Sequence, residues 1–168
     1  MRRERDLAAA VLAACRARGI MLASAESCTG GLIAAALTAL PGASDVFDRG
    51  FSTYSYASKT ELLGVPPAML NVYGAVSEPV ARAMAEGAVA ASKAGVAVAV
   101  TGVAGPGGTE AKPEGLVHFA CAMRGGGTEH ERHALGALGR DTVRARSVGI
   151  ALGLVLRCLG AETCPISS

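Results

Sequence analysis

The sequence predicts an α/β protein, a three-layer α/β/α sandwich around a mixed, mostly parallel sheet. Three observations carry that expectation. Short charge-free apolar runs at Ile20 to Ala25 and Val96 to Val100 read as buried strands, each preceded by a stretch of helical character. Strand and helix signals alternate over the first hundred residues, then a hairpin and one helix close the chain, as expected for helices packed on both faces of a sheet. Twenty-two glycines in 168 residues imply many tight turns and close backbone approaches, which favours this fold over a helical bundle.

The elements follow in order. Arg3 to Arg18 carries Leu7, Val11 and Cys15 at i, i+4 and i+8 and is closed by Gly19, the pattern of an amphipathic helix. Ile20 to Ala25 is the first strand. Gly31 to Leu40 is an alanine-rich helix ended by Pro41-Gly42, small enough to lie close against a sheet. Arg49 to Tyr56 has the aromatic and Thr content of a strand, with Ser52, Tyr54 and Tyr56 on one side and Lys59 just beyond its end. Lys59 to Leu63 is a helical turn stopped near Gly64, and Pro66-Pro67 opens another. Ser77-Glu78-Pro79 combines a capping residue, an early acid and an early proline, so Glu78 to Lys93 is a helix. Val96 to Val100 is an unbroken apolar strand buried on both faces. Leu116 to Met123 and Glu129 to Leu135 form an antiparallel hairpin across Gly125-Gly126-Gly127. Asp141 to Leu159 is the closing helix. Residues 1–168 read as a single domain with no repeat or linker.

Composition narrows the function classes. A hydrophobic share of 51% with only 4% aromatic residues means a core of Ala, Val and Leu. A net charge of +2 gives no electrostatic footprint for nucleic acid. The longest charge-free run, Ser27 to Ser44, contains Gly, Ser, Thr and Pro and is too short and polar to span a membrane. Arg16 and Arg18 come too early for a signal-peptide core. Five cysteines (Cys15, Cys28, Cys121, Cys158 and Cys164) form no C-x-x-C pair, which points to a reducing cytoplasm. Apolar, alanine-rich helices on a domain of this size could pair two copies into a homodimer.

Chemistry concentrates in two loops that follow strands. In Ala25-Glu26-Ser27-Cys28-Thr29-Gly30-Gly31 an apolar strand gives way to small and hydroxylated residues before a helix. The unpaired N–H groups of a helix N-terminus stabilise negative charge, so Ser27 is well located for chemistry. Ser27 and Thr29 also suit plain helix caps. In such sheets ligands sit beyond the carboxyl ends of parallel strands, so this loop and the one beginning at Thr101 can line one pocket.

The loop Thr101-Gly102-Val103-Ala104-Gly105-Pro106-Gly107-Gly108 lacks both the P-loop and the G-x-G-x-x-G spacing. It is either a tight connection or a backbone cradle for phosphate, helped by Lys112, Arg140 or Arg144. His118, His130 and His133 invite a metal site, but i and i+3 of a strand point to opposite faces, so His130 and His133 do not converge. No histidine lies in the early segments and G-x-S-x-G is absent, which disfavours a Ser-His-Asp triad and an α/β-hydrolase. That leaves Lys59, which could take the Ser27 proton if burial lowers its pKa, or could be an exposed helix-start lysine.

Four ordered motifs then resemble the CinA C-terminal domain family. They are Ala25 to Gly31, Gly50-Phe51-Ser52-Thr53-Tyr54-Ser55 with Lys59, Gly74-Ala75-Val76-Ser77, and Thr101 to Gly108 with Lys112-Pro113. The resemblance runs from the first strand to the last helix and looks like the form without the larger partner domain of full-length CinA proteins. It implies a nicotinamide-nucleotide amidase that converts nicotinamide mononucleotide to nicotinic acid mononucleotide and ammonia. By the same carry-over Ser27 is the nucleophile, Lys59 its general base and Tyr54 an assisting hydroxyl. Thr29, Gly30 and Gly31 supply backbone contacts around the reacting group, and Thr101, Gly102 and Gly105 belong to the ligand loop. Arg140 and Arg144 match the family's R-x-x-x-R pair, although Leu138-Gly139-Arg140 stands where the family often has Gly-Asp-Arg. The implied acyl transfer uses neither a metal nor an organic cofactor. A nucleotide-binding module without turnover, acting through a partner in competence or DNA-damage responses, is the alternative from another class, and a hydrolase of another small amide is a third.

Overall fold

The computed structural model describes residues 2–161. Helix α1 spans Arg2–Arg18 and buries Ala8, Val11, Leu12 and Cys15, one stripe at the 3.6-residue period. Gly19 ends it at φ 64, a left-handed conformation that glycine adopts without a Cβ penalty. The remaining elements are β1 (Leu22–Glu26), α2 (Leu32–Thr38), a 3-10 turn (Ala43–Asp45), β2 (Phe47–Ser52), α3 (Tyr56–Leu63), α4 (Pro67–Tyr73), α5 (Glu78–Ala90), β3 (Val96–Gly102), β4 (Leu116–Met123), β5 (Thr128–Ala134) and α6 (Arg140–Cys158).

The strands form one sheet in the order β2-β1-β3-β4-β5. β1 pairs parallel to both β2 and β3, while β4 lies antiparallel between β3 and β5, so only β4 runs against the common direction. Helices cover both faces, which gives the expected three-layer sandwich with a mixed, mostly parallel sheet.

The two faces are built from side chains of different size. Val96, Val98 and Val100 point toward α1, α2 and α6 and join Leu22, Ile33, Leu37, Leu152 and Leu156 in one core. On the other face Ala23, Ala25, Ala97, Ala99, Ala120 and Ala122 meet Val80, Ala81, Met84 and Ala88 of α5. Methyl side chains let α5 approach the sheet closely. A second close approach locks α3 to α5: a Cβ on Gly87 would stand 1.9 Å from the Leu63 carbonyl oxygen, so only glycine fits there. The Leu63 end of the helix that carries Lys59 is therefore fixed by backbone contact.

Several boundaries differ from the sequence expectation. The second strand lies at Phe47–Ser52 rather than reaching Tyr56, so Tyr54 and Tyr56 do not share a strand face with Ser52. The reason is local: Ser55 accepts the Ser58 N–H at 3.1 Å and starts a full helix at Tyr56, ahead of Lys59. The first strand ends on Glu26 and α5 ends at Ala90. Ser77 occupies the N-cap position of α5 without capping it; its hydroxyl donates back to the Gly74 carbonyl at 2.8 Å. The hairpin and closing helix fall within one residue of expectation at each end. Cys15, Cys28, Cys121 and Cys158 are free thiols, and Cys164 lies outside the described residues. Among the described residues no helix is long and apolar enough to cross a membrane.

Candidate active site

The parallel strands β1, β2 and β3 end on the same side of the sheet, and the segments that follow them enclose a cavity of about 350 Å³. Its wall includes Ser27 and Cys28 after β1, Tyr54 after β2, and Thr101, Gly102 and Gly105 at the end of β3 and in the glycine-rich loop. Arg140, the first residue of α6, closes one side, and Ala75 and Val76 close another.

Alternation along β1 decides what faces this cavity. Ala23 and Ala25 lie on the α5 face, so Ser27 continues that row, while Cys28 turns into the core under α6. Ser27 is held by its own N–H, which donates to the Val100 carbonyl at 3.0 Å. Neither Ser27 nor Thr29 caps α2. That task falls to Glu26, a residue 1% exposed whose carboxylate accepts the N–H groups of Ile33 at 2.8 Å and Ala34 at 3.1 Å. It also accepts the hydroxyls of Thr29 at 2.7 Å and Ser24 at 3.2 Å. With the helix end satisfied by Glu26, the Ser27 hydroxyl is free of capping.

Its partner is Lys59. The Lys59 side chain has no solvent exposure, its Nζ lies 3.0 Å from Ser27 Oγ, and it donates to the Thr53 carbonyl at 2.6 Å. Of the two sequence readings of Lys59, the exposed one is excluded. Burial pulls its pKa down from 10.5 to about 8, only slightly opposed by the neighbouring Cys28 thiol. Burial acts oppositely on Cys28, whose thiol is pushed up to about 11. Near neutral pH the amine thus has a usable neutral fraction and the thiol has almost no thiolate.

The two arginines divide. Arg140 spans the cavity mouth, donating to the Gly105 carbonyl and to the Tyr54 hydroxyl, each at 2.9 Å. Arg144 lies outside the cavity wall and donates to the carbonyls of Cys28 at 3.1 Å and Thr29 at 3.2 Å, clamping the turn after the serine. Tyr54 is 63% exposed, and its hydroxyl bonds Arg140 rather than Ser27 or Lys59. Thr29, Gly30 and Gly31 stand behind Ser27, outside the wall. The Gly30 N–H donates to the Ser27 carbonyl at 3.1 Å, closing the turn, and Gly31 is the N-cap position of α2 at φ 105. Thr101 is fully buried and donates to the Ala75 carbonyl at 2.9 Å. Lys112 donates to the Tyr73 carbonyl at 2.5 Å, and Glu114 accepts the Gly107 N–H at 3.1 Å, so both fasten loops around the site.

The histidines also sort by strand register. His130 and His133 do not meet; His118 and His130 do, with Nδ1 and Nε2 2.9 Å apart. Burial holds His118 down to about 4 and lowers His130, so the pair is uncharged at neutral pH. Among the described residues no cluster of three or more His, Cys, Asp or Glu side chains could hold a metal ion.

Sequence reasoning missed the roles of Glu26 and Thr53. An acid ending an otherwise apolar strand immediately before a helix was a usable signal for Glu26. Thr53 contributes through its carbonyl, which no residue type reveals.

A family profile described as the CinA C-terminal domain matches residues 4–159. A CinA-like protein of Akkermansia muciniphila is 62% identical over 110 residues, covering 65% of this chain and 27% of that protein. One from an Anaeromyxobacter species is 50% identical over 151 residues, covering 89% of this chain and 36% of that protein. The chain spans about a third of the length of these curated relatives. The crystal structure of the competence/damage inducible protein CihA from Agrobacterium tumefaciens is similar with a TM-score of 0.91 at 45% identity, covering 94% of this chain and 96% of that one. The competence damage-inducible protein A (ComA) from Klebsiella pneumoniae gives a TM-score of 0.89 at 39% identity, covering 95% of this chain and 99% of that one.

Proposed function

The chain belongs to the CinA C-terminal domain family, and on that premise we propose that it is a nicotinamide-nucleotide amidase working through a Ser27–Lys59 dyad. The observation that carries this reading is a fully buried lysine 3.0 Å from a serine hydroxyl at the wall of a cavity. A serine needs a base, and a lysine serves only when neutral. With a pKa of about 8, roughly a tenth of Lys59 is neutral at pH 7 and about half at pH 8.

Neutral Lys59 takes the Ser27 proton as Oγ attacks the carboxamide carbon. With the Gly30 N–H occupied by the Ser27 carbonyl, the developing oxyanion is held by a backbone N–H of the turn after Ser27, where Cys28 lines the cavity, a contact worth about 100- to 1,000-fold in rate. The lysine proton passes to the departing nitrogen, ammonia leaves, and water hydrolyses the acyl-enzyme. Arg140 at the cavity mouth takes the 5′-phosphate, exchanging the Gly105 carbonyl and Tyr54 hydroxyl for a charged partner. Arg144 keeps the nucleophile turn in place, and the cationic pyridinium assists by withdrawing electrons from the amide.

Ammonia release from nicotinamide mononucleotide tests the proposal. Release by the parent, lost in Ser27→Ala, is the expected result. No release above the Ser27→Ala control, with the mononucleotide still bound, would leave the non-catalytic nucleotide-binding reading in its place.

A further inference from the structure

Thr53 is fully buried, and its Oγ1 meets no hydrogen-bond partner among the described residues. Buried hydroxyls nearly always find one, so the exception calls for a reason. The rest of Thr53 is engaged: its N–H donates to the Glu26 carbonyl at 2.9 Å and its carbonyl accepts from Lys59 Nζ at 2.6 Å. An orphaned hydroxyl thus belongs to the very residue that holds the lysine.

We propose that the Thr53 hydroxyl is a positioning group for Lys59, an acceptor held in reserve for the N–H that faces neither the Thr53 carbonyl nor Ser27 and that becomes a charge-assisted donor when the amine takes the Ser27 proton. This rests on the Ser27–Lys59 reading. A neutral amine has two N–H groups and one lone pair. Its lone pair accepts the Oγ proton as Oγ bonds to the carboxamide carbon and the carbonyl electron pair moves onto oxygen. The resulting ammonium has three N–H groups. One remains on the Thr53 carbonyl. A second faces Ser27 and the departing nitrogen, which receives that proton as the C–N bond breaks and its electron pair leaves with ammonia. The third needs an acceptor where no water reaches, and rotation of the Thr53 side chain supplies one of the two hydroxyl lone pairs. A hydroxyl with only a structural role would gain nothing from being unpaired, since valine fills the same shape.

The chain has only three lysines, Lys59, Lys93 and Lys112. NMR titration of ε-carbon-labelled lysine can therefore follow Lys59 in the intact protein, its signal assigned by its loss in Lys59→Arg. Thr53→Val should fold with an equal or higher Tm, because it removes a buried unpaired hydroxyl. Its Lys59 midpoint should fall by about one pH unit, the scale of one lost hydrogen bond to a charged group. On the activity plateau above the parent midpoint, where the resting amine is neutral in both proteins, turnover of nicotinamide mononucleotide should fall about tenfold in kcat at unchanged KM. Thr53→Ser should restore both. Thr53→Ala repeats the measurement should the valine variant fail to fold. A midpoint unchanged from the parent in the hydroxyl-free variant, or a fall of equal size in Thr53→Ser, overturns the proposal. The titration needs no turnover: a parent that releases no ammonia, with a lowered midpoint in Thr53→Val, sinks the amidase reading and leaves the Thr53 inference standing.

Discussion

Lys59 Nζ and Ser27 Oγ stand 3.0 Å apart although the two residues come from different elements, the loop after β1 and the first turns of α3. The contact requires Ser27 to lie on the alanine face of the sheet and α3 to be held against α5 at Gly87 and Leu63. Such a buried amine carries a cost when charged, and that cost sets its chemistry.

Activity should therefore rise with pH through a limb near 8 and level off above it, because the proposed mechanism uses the neutral amine. Lys59→Arg keeps the positive charge but stays protonated throughout the working range. It should lose about 100-fold or more in kcat while still binding nicotinamide mononucleotide. Near-parent turnover in this variant would make Lys59 a fixed charge and send the proton elsewhere.

The same burial predicts a pH dependence of stability. Lys59 has a pKa of about 8 in the folded chain against 10.5 for a free lysine, so between those values the unfolded chain holds a proton that the folded one has lost. Stability then rises with pH across pH 8 to 10.5, and below 8 the full penalty of a buried ammonium applies. Relative to Lys59→Met, the parent should gain on the order of 3 kcal/mol across that window in chemical denaturation. A difference between the two that stays flat over the window would contradict a lowered lysine pKa.

Cys28 should be dispensable. Its thiol is 5% exposed and pushed up to about 11, so it is neither accessible nor ionised at neutral pH. Cys28→Ala should keep kcat within about threefold of the parent, and thiol alkylation should leave both equally active. An inactive Cys28→Ala variant, with a parent inactivated selectively at Cys28, would transfer the nucleophile's role to the thiol.

Arg140 and Arg144 should fail differently. Removing Arg140 from the cavity mouth should raise KM for nicotinamide mononucleotide by about 10- to 100-fold and barely affect nicotinamide riboside, which has no phosphate. Arg144→Ala releases the carbonyls of Cys28 and Thr29 and should lower kcat on both compounds. Equal losses on mononucleotide and riboside in Arg140→Ala would rule out phosphate recognition by that residue.

Glu26→Gln tests the cap. A carboxamide oxygen and an NH₂ group cannot together accept from Ile33, Ala34, Thr29 and Ser24. The variant should lose about 3 kcal/mol of stability, seen as a lower denaturation midpoint. An unchanged midpoint would mean that the start of α2 does not depend on the carboxylate.

Much of the fold was legible because it is written in local patterns. The valine-rich run of β3, the alanines of α2 and the Ser-Glu-Pro start of α5 each specify an element from neighbouring residues, and the hairpin is announced by three glycines. The ends of β1 and β2 were less legible, since Glu26 completes a strand only by pairing with Ser52 and Val100, and Ser55 starts a helix only where β2 has already ended. Ser27 could be singled out as a residue following a strand, Lys59 as a base for it and Arg140 or Arg144 as phosphate partners, and the family resemblance added Tyr54.

What the sequence by itself determined is the order of elements, the alternation that turns Ser27 and Cys28 to opposite faces, and the residue types available for chemistry. Tertiary structure alone decided where those residues sit and what they touch. Whether Lys59 is exposed or buried depends on how α3 packs and on its Nζ reaching Ser27 and the Thr53 carbonyl. Which arginine reaches the cavity depends on how the first turn of α6 lies across Gly105 and Tyr54, with Arg140 at the mouth and Arg144 behind the turn that follows Ser27. Desolvation and hydrogen-bond geometry are properties of packed neighbours distant in sequence, so no local reading of the chain contains them.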